Sequence, residues 1–280
     1  MKKLLFSLII IFLVFLGIFF YLRSRLQDDS VPLAETFSGE KVMFIFPHPD
    51  DEITSAGTLK LLDNEGIETS LITFTRGEAG SSNGMVTETD SAKRKLALGE
   101  IRFKELSAVG QLLGVDNQEI LNFPDSGIKN LPPDSLKSII RQKIARYQPS
   151  ILITYDDVIG LYGHPDHRLI AQYTKEIFLE ERGKSGFPIK KLYQVTLPKP
   201  MIETAMKISD SFKRNFGSGA TLPTPTMAFK ISKVGDFKKQ AMLLHVSQRP
   251  TFNDMQPYFD KIPVWIYYRI FDKEYFAEVK

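Results

Sequence analysis

The 280-residue chain contains no cysteine, a single tryptophan and four histidines. The absence of cysteine excludes a disulfide framework, a thiolate metal site and a cysteine nucleophile. Any bound metal must therefore take nitrogen and oxygen ligands. Since histidines are so few, each of them counts in the search for a functional site.

The chain also lacks internal repeats, low-complexity tracts and a strong overall charge. Hydrophobic residues make up 43% and charged residues 25% of the sequence, which is typical of a globular protein. The net charge of +3 arises around the first apolar segment. Without Lys2, Lys3, Arg23 and Arg25 the remainder has 32 basic and 33 acidic residues. A nucleic-acid partner is therefore not expected.

One long hydrophobic run is present near the start of the chain. Residues 4–21 carry no charge, and at ~1.5 Å per residue a helix of this length spans ~27 Å, close to a hydrocarbon core of ~30 Å. The alternative is a cleaved signal peptide, whose apolar region is normally ~7–15 residues long and ends at small residues. This run ends instead in Phe19-Phe20-Tyr21. We predict a single-pass membrane anchor at residues 1–25.

Basic residues flank the anchor on both sides, so its orientation is weakly specified. We expect the N-terminus inside and the remaining domain on the extracytoplasmic side. Residues 26–40, which are mostly polar and include Pro32, are predicted to be a linker. Residues 41–280 are predicted to form one catalytic domain.

The domain alternates short apolar runs with longer amphipathic segments. Strands are expected at 42–46, 68–74, 119–122, 150–154, 192–197 and 227–231, and helices at 53–64, 91–114, 134–147, 167–181 and 235–246. This rhythm predicts an α/β, Rossmann-like fold with a mostly parallel sheet and helices on both faces. Residues 209–226, rich in Gly, Ser, Thr and Pro, are predicted to be a mobile surface loop.

Two similar motifs each follow a predicted strand. His48-Pro49-Asp50-Asp51-Glu52 comes after the strand at 42–46, and His164-Pro165-Asp166-His167 comes after the strand at 150–154. In an open α/β sheet, ligands bind beyond the carboxyl ends of the strands. We therefore expect the two motifs to meet at one edge of the sheet.

The residue types in these motifs suit metal-assisted hydrolysis. A catalytic zinc takes three His or carboxylate ligands and keeps one open position, and His48, Asp51 and His167 supply such a set. Asp50 is then free to act as a general base, and His164 to stabilise an oxyanion or protonate a leaving amine. This inventory favours hydrolysis of an amide or ester.

Simpler interpretations exist for the same residues. A loop histidine is often only hydrogen-bonded, and acidic residues after a strand often mark a helix N-terminus. A two-metal phosphoesterase competes on ligand type, since Asp156 and Asp157 are also available. His245, on a predicted helical face beside Leu244 and Val246, is either a core histidine or part of the site's rim.

Pro47–Glu52 (PHPDDE) and Gly163–His167 (GHPDH) resemble the two signatures of the PIG-L/LmbE-like de-N-acetylases. These are metal-dependent hydrolases that remove acetyl groups from N-acetylglucosaminyl conjugates. The resemblance extends over roughly residues 41–248. It implies zinc, with Fe²⁺ as an alternative, held by the predicted ligand set, and it implies a general base at Asp50.

The resemblance also implies roles for residues that the spacing alone does not assign. His164 is expected to assist as electrophile and acid, with Asp166 tuning its imidazole. Tyr162 is expected to polarise the substrate carbonyl. Arg102 and Asp125 match positions that grip the sugar portions of the substrate in mycothiol-pathway members.

Family members that make small cytosolic thiols have no membrane anchor, whereas this chain has a strong candidate. We therefore expect a membrane-held enzyme acting on a lipid-linked or surface N-acetylhexosamine. The alternatives are a metal-dependent phosphoesterase and a membrane-tethered sugar-binding protein without activity. The sequence leaves the oligomeric state open.

Overall fold

The computed structural model describes residues 2–34, 37, 39–217, 219 and 221–280. Its strands are β1 Val42–Phe46, β2 Thr69–Thr75, β3 Asn117–Phe123, β4 Ile151–Thr154, β5 Lys191–Thr196, β6 Met227–Lys230 and β7 Lys273–Glu278. Its first helices are α1 Lys2–Leu26, α2 Ala56–Asn64, α3 Ser91–Leu113, α4 Pro133–Tyr147, α5 Gly160–Gly163 and α6 Pro165–Glu181. The later helices are α7 Lys199–Ile208, α8 Asp210–Asn215, α9 Gly235–Leu244, α10 Arg249–Met255 and α11 Val264–Ile270. Short 3₁₀ helices occupy Asp51–Ser55, Ile128–Asn130 and Val246–Gln248.

In the described part of the chain, seven strands form one sheet in the order β3-β2-β1-β4-β5-β7-β6. The first five strands in this order pair in parallel, and β7 pairs antiparallel with both β5 and β6. The sheet is flanked by helices, which confirms the predicted α/β class. The predicted strands lie within two residues of the observed ones.

The central strand β1 explains why the sheet is covered on both faces. Its five residues are all buried. Met43 and Ile45 join one apolar cluster with residues of α4 and α6, whereas Phe44 and Phe46 join another with residues of α2, α3 and α9. A strand buried on both faces needs a continuous apolar run rather than an alternating one.

The chain reverses direction across the sheet between β1 and β4. From β1 it continues outward to β2 and β3, and then returns to β4 on the other side of β1. Such a topological switch point leaves a crevice at the carboxyl ends of the two strands. Both sequence motifs lie directly beyond these ends.

The last third of the chain departs from the expected rhythm. Helix α8 occupies part of the region predicted to be a loop at 209–226, of which residues 218 and 220 lie outside the described ones. The strand β7 inserts between β5 and β6 rather than extending the parallel order. Helices α7 and α11 were not predicted from the sequence.

Helix α1 is long and apolar enough to cross a membrane, and its most apolar stretch is not buried against the protein. A signal sequence passes the same test of length and composition. The end of the helix contacts the domain: Arg23 forms an ion pair with Asp272 at 2.8 Å, and Gln27 donates to the carbonyl of Ile270 at 2.8 Å.

The segment after the helix also lies against the domain. Val31 is buried in a small cluster with Ala228 and Tyr275, and Leu33 forms a parallel bridge with Ala228. Residues 35, 36 and 38 of the predicted linker lie outside the described residues. The domain boundaries drawn from the sequence remain predictions.

Candidate metal centre

The crevice between β1 and β4 brings residues of both motifs together. His48 follows β1, and Asp51 begins the 3₁₀ helix that precedes α2. His167 lies in the first turn of α6, where Pro165 starts the helix at a position that needs no N–H donor. His48, Asp51 and His167 are all buried, with His167 fully so.

The donor atoms of these side chains form a triangle, in which Asp51 turns Oδ2 toward His48 and Oδ1 toward His167. Nδ1 of His48 lies 3.3 Å from Nε2 of His167 and 3.4 Å from Oδ2 of Asp51. Oδ1 of Asp51 lies 3.2 Å from the same His167 nitrogen. A tetrahedral ion with ligand bonds of ~2.0–2.2 Å holds its donors about 3.3–3.5 Å apart. The triangle therefore fits one face of a zinc-type coordination sphere.

The other nitrogen of each imidazole has an outer partner. Nε2 of His48 lies 3.2 Å from Oδ1 of Asp125 and 3.4 Å from Oδ2 of Asp166. Nδ1 of His167 lies 3.1 Å from the carbonyl oxygen of Gly160. These acceptors favour a proton on the outer nitrogens. Burial alone lowers the pKa of His48, but Asp125, Asp166 and Asp51 outweigh it and raise the pKa well above its usual range, so a bound cation would displace a second proton from the inner nitrogen. Metal-binding histidines are oriented in this way.

Gly160 is needed for this arrangement. It has a φ of +68°, and a Cβ placed on it lies only 2.7 Å from the Cβ of His167. The preceding turn is held by Asp156, whose carboxylate accepts the backbone N–H groups of Val158, Ile159 and Leu161. A residue with a side chain at position 160 would push against His167 and strain the backbone.

Asp51 is kept ionised and oriented by its neighbours. Burial alone raises the pKa of this carboxyl, but His167 and His48 outweigh it and hold the pKa far below its usual range. Tyr155 donates its hydroxyl to Oδ1 of Asp51 at 3.1 Å, and its ring stacks on the imidazole of His167 with centroids 4.3 Å apart. Tyr155 thus fixes two members of the triangle at once.

Asp50, the candidate base, adopts an unusual backbone conformation. Its φ of 93° is rare for a residue with a side chain, and its N–H donates to Oε2 of Glu52 at 2.9 Å. Burial raises the pKa of Asp50 to about 7, although the charge of Arg102 opposes this shift. A carboxyl with a pKa near neutrality suits a general base.

Arg102, expected to contact substrate, lies instead beneath Asp50. It is 4% exposed, and its guanidinium lies 3.0 Å from Oδ2 of Asp50. It also donates to the carbonyls of Gly77 and Pro49. These contacts give Arg102 a positioning role toward Asp50, and its sugar-gripping role stays a prediction.

Asp125 and Asp166, predicted from the resemblance, lie behind His48. Besides contacting His48, Asp125 accepts the N–H of Ala79 and Asp166 accepts the N–H of Ser126, each at 2.9 Å. The carboxylate of Asp166 contacts His48, whereas its backbone N–H donates to Nδ1 of His164. Asp166 therefore contacts His164 through its main chain, and the charge of its carboxylate opposes the lowering of the His164 pKa.

His164 lies at the N-cap of α6 beside the triangle. Its ring centroid is 4.7 Å from that of His48 and 4.8 Å from that of His167. Burial and the two neighbouring histidines lower the pKa of His164 to about 4, so it is neutral near pH 7. Since Nδ1 accepts the N–H of Asp166, the proton of the neutral ring resides on Nε2, which can donate to an oxyanion.

Tyr162 packs on the other side of the same group. Its ring lies edge-on to His167 with centroids 5.1 Å apart, and 6.3 Å from His164. Burial, together with the charges of Asp51 and Asp50, raises the pKa of Tyr162 well above its usual range. Its hydroxyl therefore stays protonated and can act as a hydrogen-bond donor.

A second buried histidine cluster adjoins the centre. Nε2 of His245 lies 2.5 Å from Oε1 of Glu52, and its Nδ1 lies 3.9 Å from Oε2 of Glu105. Burial alone lowers the pKa of His245, but the charge of Glu52 and the nearby Glu105 outweigh it and raise the pKa to about 9. His245 is therefore a charged core residue that supports Glu52, and through it the backbone of Asp50.

Several supporting residues escape analysis of the sequence alone. Tyr155, Glu105 and Gly160 carry no metal-site signal of their own, although the first two lie within stretches that resemble the family. Two further groupings also lie close enough to hold a cation: His48 with His164 and His167, and His48 with Asp125 and Asp166. Both share residues with the triangle, but Asp125 and Asp166 contact the outer Nε2 of His48 rather than its inner Nδ1.

The carboxylates that a two-metal phosphoesterase would need are engaged elsewhere. Asp156 holds the turn before α5, and Asp157 pairs with Lys175 at 2.9 Å and accepts from Gln194 at 2.8 Å. Neither contacts the triangle in the described interactions. The geometry thus favours one cation over a bridged pair.

Comparison with known proteins places the chain among its relatives. Residues 43–178 match the model of the PIG-L family, described as GlcNAc-PI de-N-acetylase. A 1D-myo-inositol 2-acetamido-2-deoxy-alpha-D-glucopyranoside deacetylase of Nakamurella multipartita is 31% identical over 185 residues. That alignment covers 58% of this chain and 61% of the relative. Separate alignments with two other deacetylases of the same description each cover 65% of the relative, so this chain spans less than two thirds of their length.

Two solved structures share the fold. An N,N'-diacetylchitobiose deacetylase from Pyrococcus horikoshii superposes with a TM-score of 0.58 at 23% identity, covering 86% of this chain and 84% of that one. A 4-carboxy-2-hydroxymuconate hydratase from Pseudomonas putida also gives 0.58, at 18% identity, with 86% and 96% covered. Since the same fold carries a hydratase, the reaction has to be argued from the site. Residues 43–178, just under half of the chain, match the PIG-L family, and the two motifs and their meeting at the switch point agree with this similarity.

Proposed function

We propose that this protein is a metal-dependent hydrolase that removes the N-acetyl group from an N-acetylglucosamine-type conjugate. The observation that carries this proposal is the triangle of His48, Asp51 and His167, with Asp50 beside it as a base. The names of the relatives, which are deacetylases of glucosaminyl compounds, support the choice of substrate class.

The donor set of two imidazoles and one carboxylate suits zinc, with Fe²⁺ as the alternative. A divalent ion held by these three side chains would supply a Lewis acid and would lower the pKa of a water molecule bound to it. Asp125, Asp166 and the carbonyl of Gly160 would keep the two imidazoles oriented toward that ion.

The chain's own residues then move the protons of the reaction. Asp50 takes a proton from the attacking water, whose oxygen bonds to the acetamide carbonyl carbon. Nε2–H of His164 and the hydroxyl of Tyr162 donate to the oxygen that gains negative charge. When the carbon–nitrogen bond breaks, the amine nitrogen takes up a proton, and acetate and the free amino sugar leave.

We further propose that the substrate is lipid-linked or part of a surface glycan, and that α1 is a retained single-pass anchor with the domain on the extracytoplasmic side. The ion pair of Arg23 with buried Asp272 and the bond from Gln27 to Ile270 support retention. Removal of the helix at its end would take Arg23 away and leave Asp272 unpaired in the domain.

Acetate release by the full chain in detergent tests this function. The substrates are methyl N-acetylglucosaminide, an N-acetylglucosaminyl inositol and, as the rival, p-nitrophenyl phosphate. We expect acetate from at least one N-acetyl sugar, loss of release with a chelator, and recovery with Zn²⁺ or Fe²⁺. Asp157→Asn, outside the centre, serves as the matched control and should release acetate like the unaltered protein.

Release of phosphate in place of acetate would overturn the proposal in favour of a phosphoesterase. Sugar binding without release of either product, with one equivalent of metal bound, would favour a binding protein. Acetate release that is indifferent to the chelator would contradict the role of the triangle.

A further inference from the structure

An apolar cavity of about 120 Å³ lies at the base of α1. The side chains that line it are mainly hydrophobic and come from three helices: Leu26 from α1, Met201, Ala205 and Ile208 from α7, and Tyr268 from α11, with Phe271 directly after it.

The helices α7 and α11, which line this cavity, also form hydrogen bonds with the end of α1. Thr204 of α7 donates its hydroxyl to the carbonyl of Arg25 at 2.8 Å. Arg23 donates to the carbonyl of Arg269 in α11 at 2.9 Å. The cavity therefore lies between two helices whose position relative to α1 is fixed by hydrogen bonds.

The position of Leu26 sets the depth of the cavity relative to a bilayer. The apolar stretch of α1 ends at Leu22, so Leu26 lies four residues, or ~6 Å, further along the helix. The interfacial layer on each side of a bilayer is roughly 5–7 Å thick. Leu26, and the cavity that it lines, would therefore lie at the level of the lipid head groups.

Exposed side chains near the cavity support this placement. Trp265 of α11 is 69% exposed, and Ile208, at the end of α7, is 52% exposed. Tryptophan is enriched at the interface between membrane and water because its ring is amphipathic. In contact with a bilayer, both side chains would be removed from water.

The inner end of the cavity adjoins the candidate metal centre. Thr54 lines the cavity and donates its hydroxyl to the backbone carbonyl of Asp51 at 2.8 Å. Leu161 and Phe212 also line it, and the ring of Phe212 lies 6.4 Å from that of Tyr162. One wall thus separates the apolar cavity from residues of the proposed catalytic site.

We propose that this cavity receives the hydrocarbon chain of a lipid-linked N-acetylglucosamine conjugate, whose sugar is processed at the metal centre. This inference rests on the proposed function and names its substrate more closely. The lining leaves little for a polar ligand to bind: Lys238 and Glu274, two of its charged members, pair with each other at 2.6 Å. With its chain held in the cavity, the conjugate would pass its sugar beyond Thr54 and Phe212 to reach the centre.

The test compares two substrates on variants of one helix. Full-length protein in one detergent is given methyl and dodecyl N-acetylglucosaminide. Ala205→Trp fills the cavity, Ala205→Leu fills part of it, and Lys207→Trp adds the same bulk to an exposed position that does not line it. The readout is the ratio of kcat/KM for the dodecyl to the methyl compound, so that detergent effects on each substrate cancel between variants.

We expect the unaltered protein and Lys207→Trp to prefer the dodecyl compound by about tenfold or more, because several methylene groups leave water. Ala205→Trp should reduce the ratio to about one while kcat/KM for the methyl compound is unchanged, and Ala205→Leu should lie between. An unchanged ratio in Ala205→Trp, with methyl activity retained, would overturn the cavity assignment and leave the proposed function standing.

A binding readout separates the two proposals when turnover fails. A dodecyl N-acetylglucosaminide with a diazirine at the end of its chain is photolysed with the full-length protein, and labelled peptides are identified by mass spectrometry. We expect labels within residues 199–208 and 264–271, lost in Ala205→Trp and kept in Lys207→Trp. Labelling of the same peptides that is unchanged in Ala205→Trp would refute the assignment of the cavity as the binding site of the hydrocarbon chain. Correct labels without acetate from either compound would refute the proposed function alone.

Discussion

His167 and His245 are both fully buried and both contact carboxylates, yet the groups that face their two ring nitrogens differ. The outer nitrogen of His167 faces the neutral carbonyl of Gly160, and its inner nitrogen faces Asp51 and His48. His245 lies between two carboxylates, those of Glu52 and Glu105.

The outer partners account for this difference. A neutral acceptor behind His167 fixes one proton and leaves a lone pair available to a cation. Carboxylates on both sides of His245 favour a second proton, so that the ring is a cation itself. Two buried clusters with the same residue types therefore form a candidate metal site in one case and a structural ion pair in the other.

The largest expected effect comes from removing a donor of the triangle. His167→Ala should lose its bound metal and reduce activity by more than about 1,000-fold. His164→Ala, which removes a histidine beside the triangle, should keep one equivalent of metal. Metal content by mass spectrometry and acetate release check both. A full equivalent of metal in His167→Ala would show that the triangle is not the site.

Asp50→Asn should lower kcat by about 10²–10⁴-fold while metal binding is retained, because the variant cannot accept a proton from water. Steady-state kinetics and metal content measure the two effects separately. Loss of metal together with activity would make Asp50 a ligand rather than the base. An unchanged kcat would remove it from the mechanism.

His245→Leu tests the second cluster. It leaves the buried carboxylate of Glu52 without its partner and should reduce the free energy of unfolding by ~3–5 kcal/mol. Val246→Ala, one residue along and half-exposed, should change it by no more than about 0.5 kcal/mol. Urea titrations in detergent provide the comparison. Equal stability of the two variants would mean that the ion pair is not needed.

The same ion pair predicts a dependence of stability on pH. The pKa of His245 is about 9 in the folded protein and ~6.5 for an unperturbed histidine. Its contribution, on the order of 3 kcal/mol, is present below pH ~6.5 and is lost as the pH rises through 9. Urea midpoints at the two pH values should differ in the unaltered protein more than in His245→Leu. Parallel curves would contradict a charged His245.

A smaller effect is expected behind the triangle. Asp125→Asn weakens the acceptor of Nε2 of His48 and should lower metal affinity by about 10–100-fold. Asp63→Asn, at the end of α2, is the matched control and should leave affinity unchanged. Competition with a chromogenic chelator measures both. Unaltered affinity in Asp125→Asn would assign Asp125 to substrate alone.

Much of the parallel sheet could be predicted because its strands are short apolar runs between helices. Residues 42–46 are an example: burial on both faces requires just such a run. The strand β7 (KEYFAE) shows the opposite case. Lys273 and Glu274 look solvent-exposed by type but are buried, since they pair with Asp29 and Lys238. A local pattern does not reveal partners so far away in the chain.

In the candidate site, too, the residues in local motifs could be predicted from the sequence, whereas the contacts between distant residues could not. His48, Asp51 and His167 were selected because motifs at strand ends converge, and the structure does bring them together. The contact between Glu52 and His245 joins residues 193 positions apart, and no spacing rule connects them. The structure also places Arg102 beneath Asp50, a burial that its type does not suggest.

The contacts at the base of α1 also have a consequence for biosynthesis. They join Gln27 to Ile270 and Tyr275, residues 243 and 248 positions later in the chain. During translation the helix leaves the ribosome first, whereas β7 and α11 are among the last elements made. The helix is therefore complete long before its docking surface exists, and β7 and α11 have to fold against it after they are made. Contacts of such long range form slowly, which makes this junction a late step in maturation.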